Sequence, residues 1–525
     1  MIGESKGELY LERVDIIIKK FKNKLSPGFK AAFIAAIIVG LIAHMYMFTN
    51  KLPNFDDLIG IDNFGVTFKN GRWFLWVVGA VAYHLDLVFS LPWANGMITL
   101  VLLGVSAGMI ADLLDIKSKT ANALLGAALV VFPSWTGTFF YMFTAPYYAL
   151  AVLMSVTSVH FTVRYKWGIV PSAVLLACSL GIYQSYLPFT ATLYVVILCL
   201  MLFDDKLGYL DILKKSLLYL CSMAAGTVVY FICMKLSLLI TGQELNAYKG
   251  ISTMGKFELA RIPEIGHTIM VNFFGIFLNN NMEISYNYIT KGMYFVLYAA
   301  SLVMVLYLLV VNMKKQDILK AVETVVLFVI YIIAINSIYI MCEDGIYSLM
   351  YYSYVFLMIF PLALLDRCIG REEKKHWIGI EYVITIAVSA GVASYCHFAN
   401  GEYISMQLSY EQAASYYTTM ITQIKSVDGY RDDMKVAFSG TDLVDTTLYH
   451  NEVMDTFSMS GRDDALADAY SKQNFIRYYC GFDAETVGTD ILSETSKTKL
   501  AQMPTYPNAG SIQVMDDVVV VKLSD

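Results

Sequence analysis

Charge is scarce in this sequence. Only 16% of its 525 residues are Asp, Glu, Lys or Arg, where soluble domains carry about 25%. With 57% hydrophobic residues and a mean hydropathy of +0.55, such a chain cannot hide its surface in water. A soluble enzyme and a disordered scaffold are both excluded, and the reading is a multi-pass membrane protein. P-loop, HExxH and CxxC motifs are absent, and the seven histidines show no ligand spacing, so nothing points to ATP-driven work or a structural zinc. Internal repeats and low-complexity segments are missing too.

Eight cysteines supply no framework. Cys178, Cys199, Cys221 and Cys233 sit inside apolar runs, where a thiol behaves as a small core residue, and no spacing pairs Cys342, Cys396 and Cys480. No cleavable signal peptide is expected: residues 1–30 are polar and basic, and the first apolar run is too long for an h-region.

What the chain has instead is long apolar runs. Eleven approach the roughly 20 residues of a spanning helix: 31–49, 92–111, 121–140, 144–163, 168–184, 186–203, 216–240, 292–312, 324–341, 345–365 and 377–397. With the N-terminus inside, the inner loops after residue 92 hold 14 Lys and Arg, and the outer loops hold Lys249, Lys256, Arg261 and Lys291. Counting 73–91 as a further span would put the 14 outside, against the positive-inside rule. That run, with His84 and Asp86, is therefore expected to lie along the outer surface or re-enter it. Two large outer loops follow, 50–91 and 241–291, and Pro263 with the Asn279-Asn280-Asn281 run suggests a bent loop over 260–281. Residues 8–25 alternate apolar and basic and read as an in-plane cytoplasmic helix.

From Gly401 onward the material changes, with 19 acids against 9 bases, while the first 400 residues carry a net +4. Neither balance suits nucleic acid. Residues 409–425 read as a helix, 434–440 as a strand, and 511–523 as a hairpin around Asp516-Asp517. The divisions are thus 1–30, a membrane domain over 31–400, and a small outer α/β domain over 401–525.

Chemistry is sought in the outer loops. Gly104-Val105-Ser106-Ala107-Gly108 imitates a serine-hydrolase elbow, but that motif needs a strand–turn–helix; mid-span, small residues let helices approach. The first outer loop carries Asp56-Asp57 just beyond the first span, followed by Asn70-Gly71-Arg72-Trp73. One carboxylate there can serve as general base toward a membrane-borne substrate, and Arg72 can orient it or bind an anion; an ordinary solvated loop is the alternative. Lys235 lies near the outer end of its span, with Arg261 and His267 beyond it, a candidate phosphate site at headgroup depth or a snorkelling lysine and loop residues. Tyr183 and Gln184, in Gly181-Ile182-Tyr183-Gln184-Ser185-Tyr186, either bind sugar hydroxyls or satisfy a helix end.

Taken in order, these motifs resemble the Gtr type-II glucosyltransferases, polytopic enzymes that decorate bacterial surface polysaccharides. The resemblance rests on Asp56-Asp57, Asn70-Gly71-Arg72-Trp73, Phe132-Pro133-Ser134-Trp135 and Leu180-Gly181-Ile182-Tyr183-Gln184, and covers roughly 30–440. It implies a mainly α, GT-C-like bundle in the bacterial plasma (inner) membrane, an acidic motif in the first outer loop, and a polyprenyl-phosphate-sugar donor. The expected reaction moves a hexose, glucose by resemblance, to a surface polysaccharide, with inversion at the anomeric carbon. Asp56 or Asp57 would be the base, and Arg72 would meet the donor phosphate; Lys235 and Arg261 match no motif of the family, so their assignment to that phosphate, with His267, rests on topology alone. No cofactor is required, although the two Asp side chains are able to bind a divalent metal. A transporter or flippase of a lipid-linked sugar, with the outer loops as gates, is the alternative. Transporters often show paired repeats and helices broken at midplane, and neither is evident.

Overall fold

The computed structural model describes residues 25–59, 64–87, 90–246, 259–278, 283–342, 346–371, 376–441 and 471–525. The expected in-plane helix at 8–25 lies outside them except for its last position, and the Asn279-Asn280-Asn281 run lies outside them entirely. The protein is a mainly α, polytopic membrane bundle. Its long apolar helices are α1 (Pro27–Thr49), α4 (Pro92–Leu114), α7 (Ala145–Arg164), α10 (Tyr209–Thr241), α12 (Tyr288–Lys314), α13 (Ile318–Ile335), a span over Tyr352–Gly370 built mostly from α15 (Phe356–Arg371), and α16 (Ile378–Ser426). A bent pair, α5 (Lys119–Val131) and α6 (Pro133–Phe139), breaks by 41°, because Pro133 starts a new helix and cannot continue the old one. Shorter pieces are α2 (Phe55–Ile59), α3 (Trp73–His84), α8 (Ile169–Leu180), α9 (Tyr186–Met201), α11 (Ile262–Leu278) and α14 (Ile338–Met341).

All eleven apolar runs contain helix, yet only eight helices among the described residues are long enough to cross, or nine with the bent pair. The difference lies chiefly at α8 and α9, which have 12 and 16 residues and meet at the turn 181–185. The run at 73–91 gives a helix of only 12 residues, too short to span. The expected bent loop at 260–281 is instead largely helix α11. Pro263 does not break it, since a proline in a helix's first turn displaces no intrahelical bond.

Packing explains the elbow-like motif and one buried histidine. A Cβ on Gly108 would lie 2.5 Å from the Phe29 ring, so the small residues of the elbow-like motif let α1 lie against α4. His44, fully buried, bonds Tyr403 Oη at 2.7 Å and the Val130 carbonyl at 2.9 Å, joining α1 to α16 and α5. The eight cysteines are free thiols.

The bundle sorts its loops by end. At one end Asp366 accepts from the Lys117 and Ser118 amides, Lys315 pairs with Asp205 at 2.7 Å, and Lys320 donates to the Asp204 carbonyl at 2.8 Å. The 50–59, 64–72, 140–148 and 181–186 segments gather at the other. Helix α16 is continuous through residue 400, so the expected domain boundary falls inside it; at 1.5 Å per residue its 49 residues extend about 74 Å, well beyond a bilayer core. Its distal part packs on a four-stranded sheet, order β2-β1-β4-β3, with β1 at Lys435–Ser439, β2 at Thr486–Val487, β3 at Ile512–Met515 and β4 at Val518–Lys522. β1 runs parallel to β2 and β4, and β3 and β4 form the hairpin at Asp516-Asp517, both with positive φ as a two-residue turn requires. Among the described residues, helices α17 (Lys472–Cys480) and α18 (Glu494–Gln502) also belong to this unit.

Candidate active site

Helix α1 stops at Asn50, whose backbone is extended, and the chain has no regular structure as far as Asn54. There the Asn54 carboxamide oxygen accepts from the Asp56 amide at 2.7 Å and starts the short helix α2. The two adjacent carboxylates consequently meet different surroundings. Asp57 is 1% exposed. Its carboxylate accepts from Ser90 Oγ at 3.2 Å, the Phe143 amide at 3.3 Å and the Asn54 amide at 3.5 Å. Burial pushes its pKa up to about 6, opposed by the Lys51 charge and these donors. Asp56 is only half-buried. Lys51 Nζ donates to the carbonyl and to Oγ of Ser90, each at 3.3 Å, so one serine stands between the ammonium and Asp57. Burial lowers the Lys51 pKa, and Asp57 opposes the shift.

The second motif is built by the fourth. Residues Phe68–Asn70 form a 3-10 turn that ends on Gly71 in the left-handed region; a Cβ there would sit 2.7 Å from Tyr230 Oη. Gln184 Nε2 donates to the Asn70 carbonyl at 2.8 Å and to Tyr230 Oη at 2.9 Å. The Gly181 carbonyl accepts from the Phe74 and Leu75 amides at 2.8 and 3.0 Å, satisfying otherwise orphaned donors at the start of α3. Arg72 is thereby held over a pair of tyrosines: its guanidinium carbon is 5.2 Å from the Tyr183 ring centre and 5.9 Å from that of Tyr148, and the two rings stack at 4.5 Å. The third motif acts through the kink, since α6 delivers the 140–144 turn. From that turn the Phe143 amide reaches Asp57, and Tyr141 meets Phe55 edge-on at 6.2 Å.

The remaining sequence candidates stand apart. Lys235 is exposed on α10, His267 is exposed on α11, and Arg261 is half-buried where a 3-10 turn enters α11. No described contact of Asp57 or Lys51 involves these three. Gln184 is occupied by backbone and Tyr230, while Tyr183 lies beneath Arg72. Sequence reasoning missed Lys51, Ser90, Tyr141 and Tyr148. Lys51 had a signal, being a cation five residues before Asp56; the other three are brought in by tertiary structure alone. A divalent cation would find Asp56 and Asp57 adjacent, but both Asp57 oxygens already accept hydrogen bonds, and among the described residues no group of three His, Cys, Asp or Glu could complete a metal site. A cavity of about 740 Å³ lies at the opposite end among Asp115, Lys117, Arg164, Asp204 and Arg367, remote from the carboxylate pair.

A family model described as glucosyl transferase GtrII matches residues 45–362. The match runs from the last turn of α1 into α15 and takes in all four motifs. No curated protein matches the chain.

Proposed function

The chain belongs to the glucosyl transferase GtrII family and is a membrane glucosyltransferase; from that premise we propose that it moves glucose from a polyprenyl-phosphate donor to a surface polysaccharide on the outer face of the bacterial plasma membrane. The observation that carries the reading is the half-buried Asp56 beside a buried, fully hydrogen-bonded Asp57, at the bundle end opposite the basic loops. By the positive-inside rule that end faces outward, where a lipid-borne donor and a cell-surface acceptor can meet.

In this mechanism an acceptor hydroxyl attacks the anomeric carbon from the face opposite the phosphate. Its proton passes to Asp56 as the new C–O bond forms, and the bond from the anomeric carbon to the phosphate oxygen breaks. The electron pair leaves with the lipid phosphate, and the anomeric centre inverts. Asp57 holds the loop through the Asn54 and Phe143 amides. Arg72 offers fixed N–H donors beside Tyr148 and Tyr183 to the oxygen-rich donor head. A stable phosphate leaving group needs cations to stabilise its charge more than it needs a general acid. Membership of a transferase family displaces the transporter reading.

The test is transfer by the purified protein of labelled glucose from polyprenyl-phosphate glucose to a surface glycan. Label should appear in the glycan with wild type and about 10²-fold or more slowly with Asp56→Asn. Absence of transfer from every polyprenyl-phosphate hexose offered, with a folded protein, would overturn the donor class.

A further inference from the structure

A cleft of about 390 Å³ opens between the end of α1 and the start of α4, with Phe48, Asn50, Lys51, Leu91, Pro92 and Trp93 among its lining. Its walls have two characters. Phe48, Leu91, Pro92 and Trp93 are apolar, and Leu91 and Trp93 are 55% and 53% exposed at the boundary where α4 enters the membrane. An indole there suits the water–lipid interface. Against these stands one cation. Lys51 is half-buried, and both its hydrogen bonds, 3.3 Å each, go to neutral oxygens of Ser90. An ammonium has three donors, so one remains for a ligand. The 23-residue helix α4 also begins at Pro92, and its partial positive charge favours an anion at that end.

We propose that this cleft binds the phosphate and first isoprenyl units of the lipid donor, with Lys51 meeting the phosphate. The inference rests on the donor class proposed above. It moves the phosphate contact from Lys235, Arg261 and His267 to a residue of the same loop as the base. An apolar wall with a single cation matches a single-chain lipid phosphate; free phosphate would leave the wall in water, and an uncharged isoprenol would bring no anion to the ammonium's third donor. The position also links binding to chemistry. Ser90 Oγ is shared between Lys51 and Asp57, so the leaving phosphate and the carboxylate pair are held on one hydrogen-bonded segment.

The experiment is equilibrium binding of labelled farnesyl phosphate to the purified full-length protein, with farnesol and inorganic phosphate as competitors. Lys51→Met should weaken binding about tenfold or more, as loss of a charge-assisted bond does, while Lys51→Arg stays close to wild type. Trp93→Ala, at the exposed rim and away from the core, should weaken farnesyl phosphate while the thermal midpoint holds. Neither farnesol nor inorganic phosphate should compete well. If wild type binds farnesyl phosphate and both Lys51→Met and Trp93→Ala bind it equally well, the cleft is wrong and the donor class stands. If inorganic phosphate competes as well as the lipid phosphate, the lipid assignment of the cleft fails. If wild type binds no isoprenyl phosphate, the donor reading falls and the cleft assignment with it.

Discussion

The side-chain amide of Gln184 donates to the backbone carbonyl of Asn70 across 114 residues of sequence, at 2.8 Å. That bond places the glutamine in the scaffold of the Arg72 turn. Gln184→Leu should therefore lower the thermal midpoint, since unmaking a buried bond to backbone costs about 1–3 kcal/mol, and turnover should fall because Arg72 loses its support. A sugar ligand would behave differently: the acceptor or donor KM would rise with the midpoint unchanged, and that result would reassign Gln184.

The two aspartates should separate in the same assay. Asp56→Asn keeps the size and the turn but cannot take a proton, so transfer should fall about 10²-fold or more with farnesyl phosphate binding retained. Asp57→Asn should instead act on the loop, because a carboxamide cannot accept from Ser90 and two amides in the same way. Its signature is a changed melting profile beside the loss of turnover. Full transfer by both variants would remove the base from this loop.

The titration of Asp57 gives a pH test with a defined sign. Its carboxyl rises from an ordinary 3.8 to about 6 in the folded protein. The folded state then binds the proton more tightly than the unfolded chain, so this group's contribution to stability is greatest below its unfolded value. It is lost as the pH rises through about 6. Relative to wild type, Asp57→Asn should gain in thermal midpoint across that window and run parallel above it. Parallel profiles throughout would mean that Asp57 keeps its ordinary pKa.

Orientation can be read by labelling. On a background with the exposed Cys221 replaced by Ser, cysteines at Asp115 and Gly370 should react from the cytoplasmic side and one at Val66 from outside. Asp115 and Gly370 line one charged cavity, so they must report together. Reaction of position 115 from outside would invert the bundle and put the carboxylate pair with the cytoplasm.

Much of this was legible in the sequence, for reasons that differ by element. Apolar runs mark helices because lipid leaves the backbone no other partners, and Asp516-Asp517 marks a turn because Asp tolerates positive φ. Hydropathy could not tell that 168–184 and 186–203 form helices of 12 and 16 residues, because the shortening comes from the Gly181–Ser185 turn folding onto Trp73 and Phe74. Helix α11 was hidden by a proline that the first turn tolerates. Asp56-Asp57 stood out as a pair, but their division into half-exposed and buried members depends on Ser90 and Phe143. Those contacts span 33 and 86 residues, and no local pattern encodes them.

One long-range contact bears on the residues after 362, which the family match does not reach. Leu58, next to Asp57, is 1% exposed and belongs to the apolar core of the C-terminal unit, with Tyr417, Met420, Phe475 and Ile476. Helix α2 packs directly on α17. Phe475 stacks on Tyr479 at 5.2 Å, and burial, then the nearby Asp57 carboxylate, pushes the Tyr479 phenol above its usual range. The C-terminal unit is thus packed against the Asp56-Asp57 loop, and it should hold that loop in register. Phe475→Ala removes a ring far in sequence from the carboxylates, at a local cost of about 3–5 kcal/mol for a buried aromatic. The expected result is faster amide exchange over residues 51–59 and a lower kcat, while the farnesyl phosphate affinity changes little. Phe475→Leu, which refills most of the volume, should restore both. Slow exchange in the Asp56 loop and an unchanged kcat in a destabilised Phe475→Ala protein would reduce the C-terminal unit to a passenger on α16.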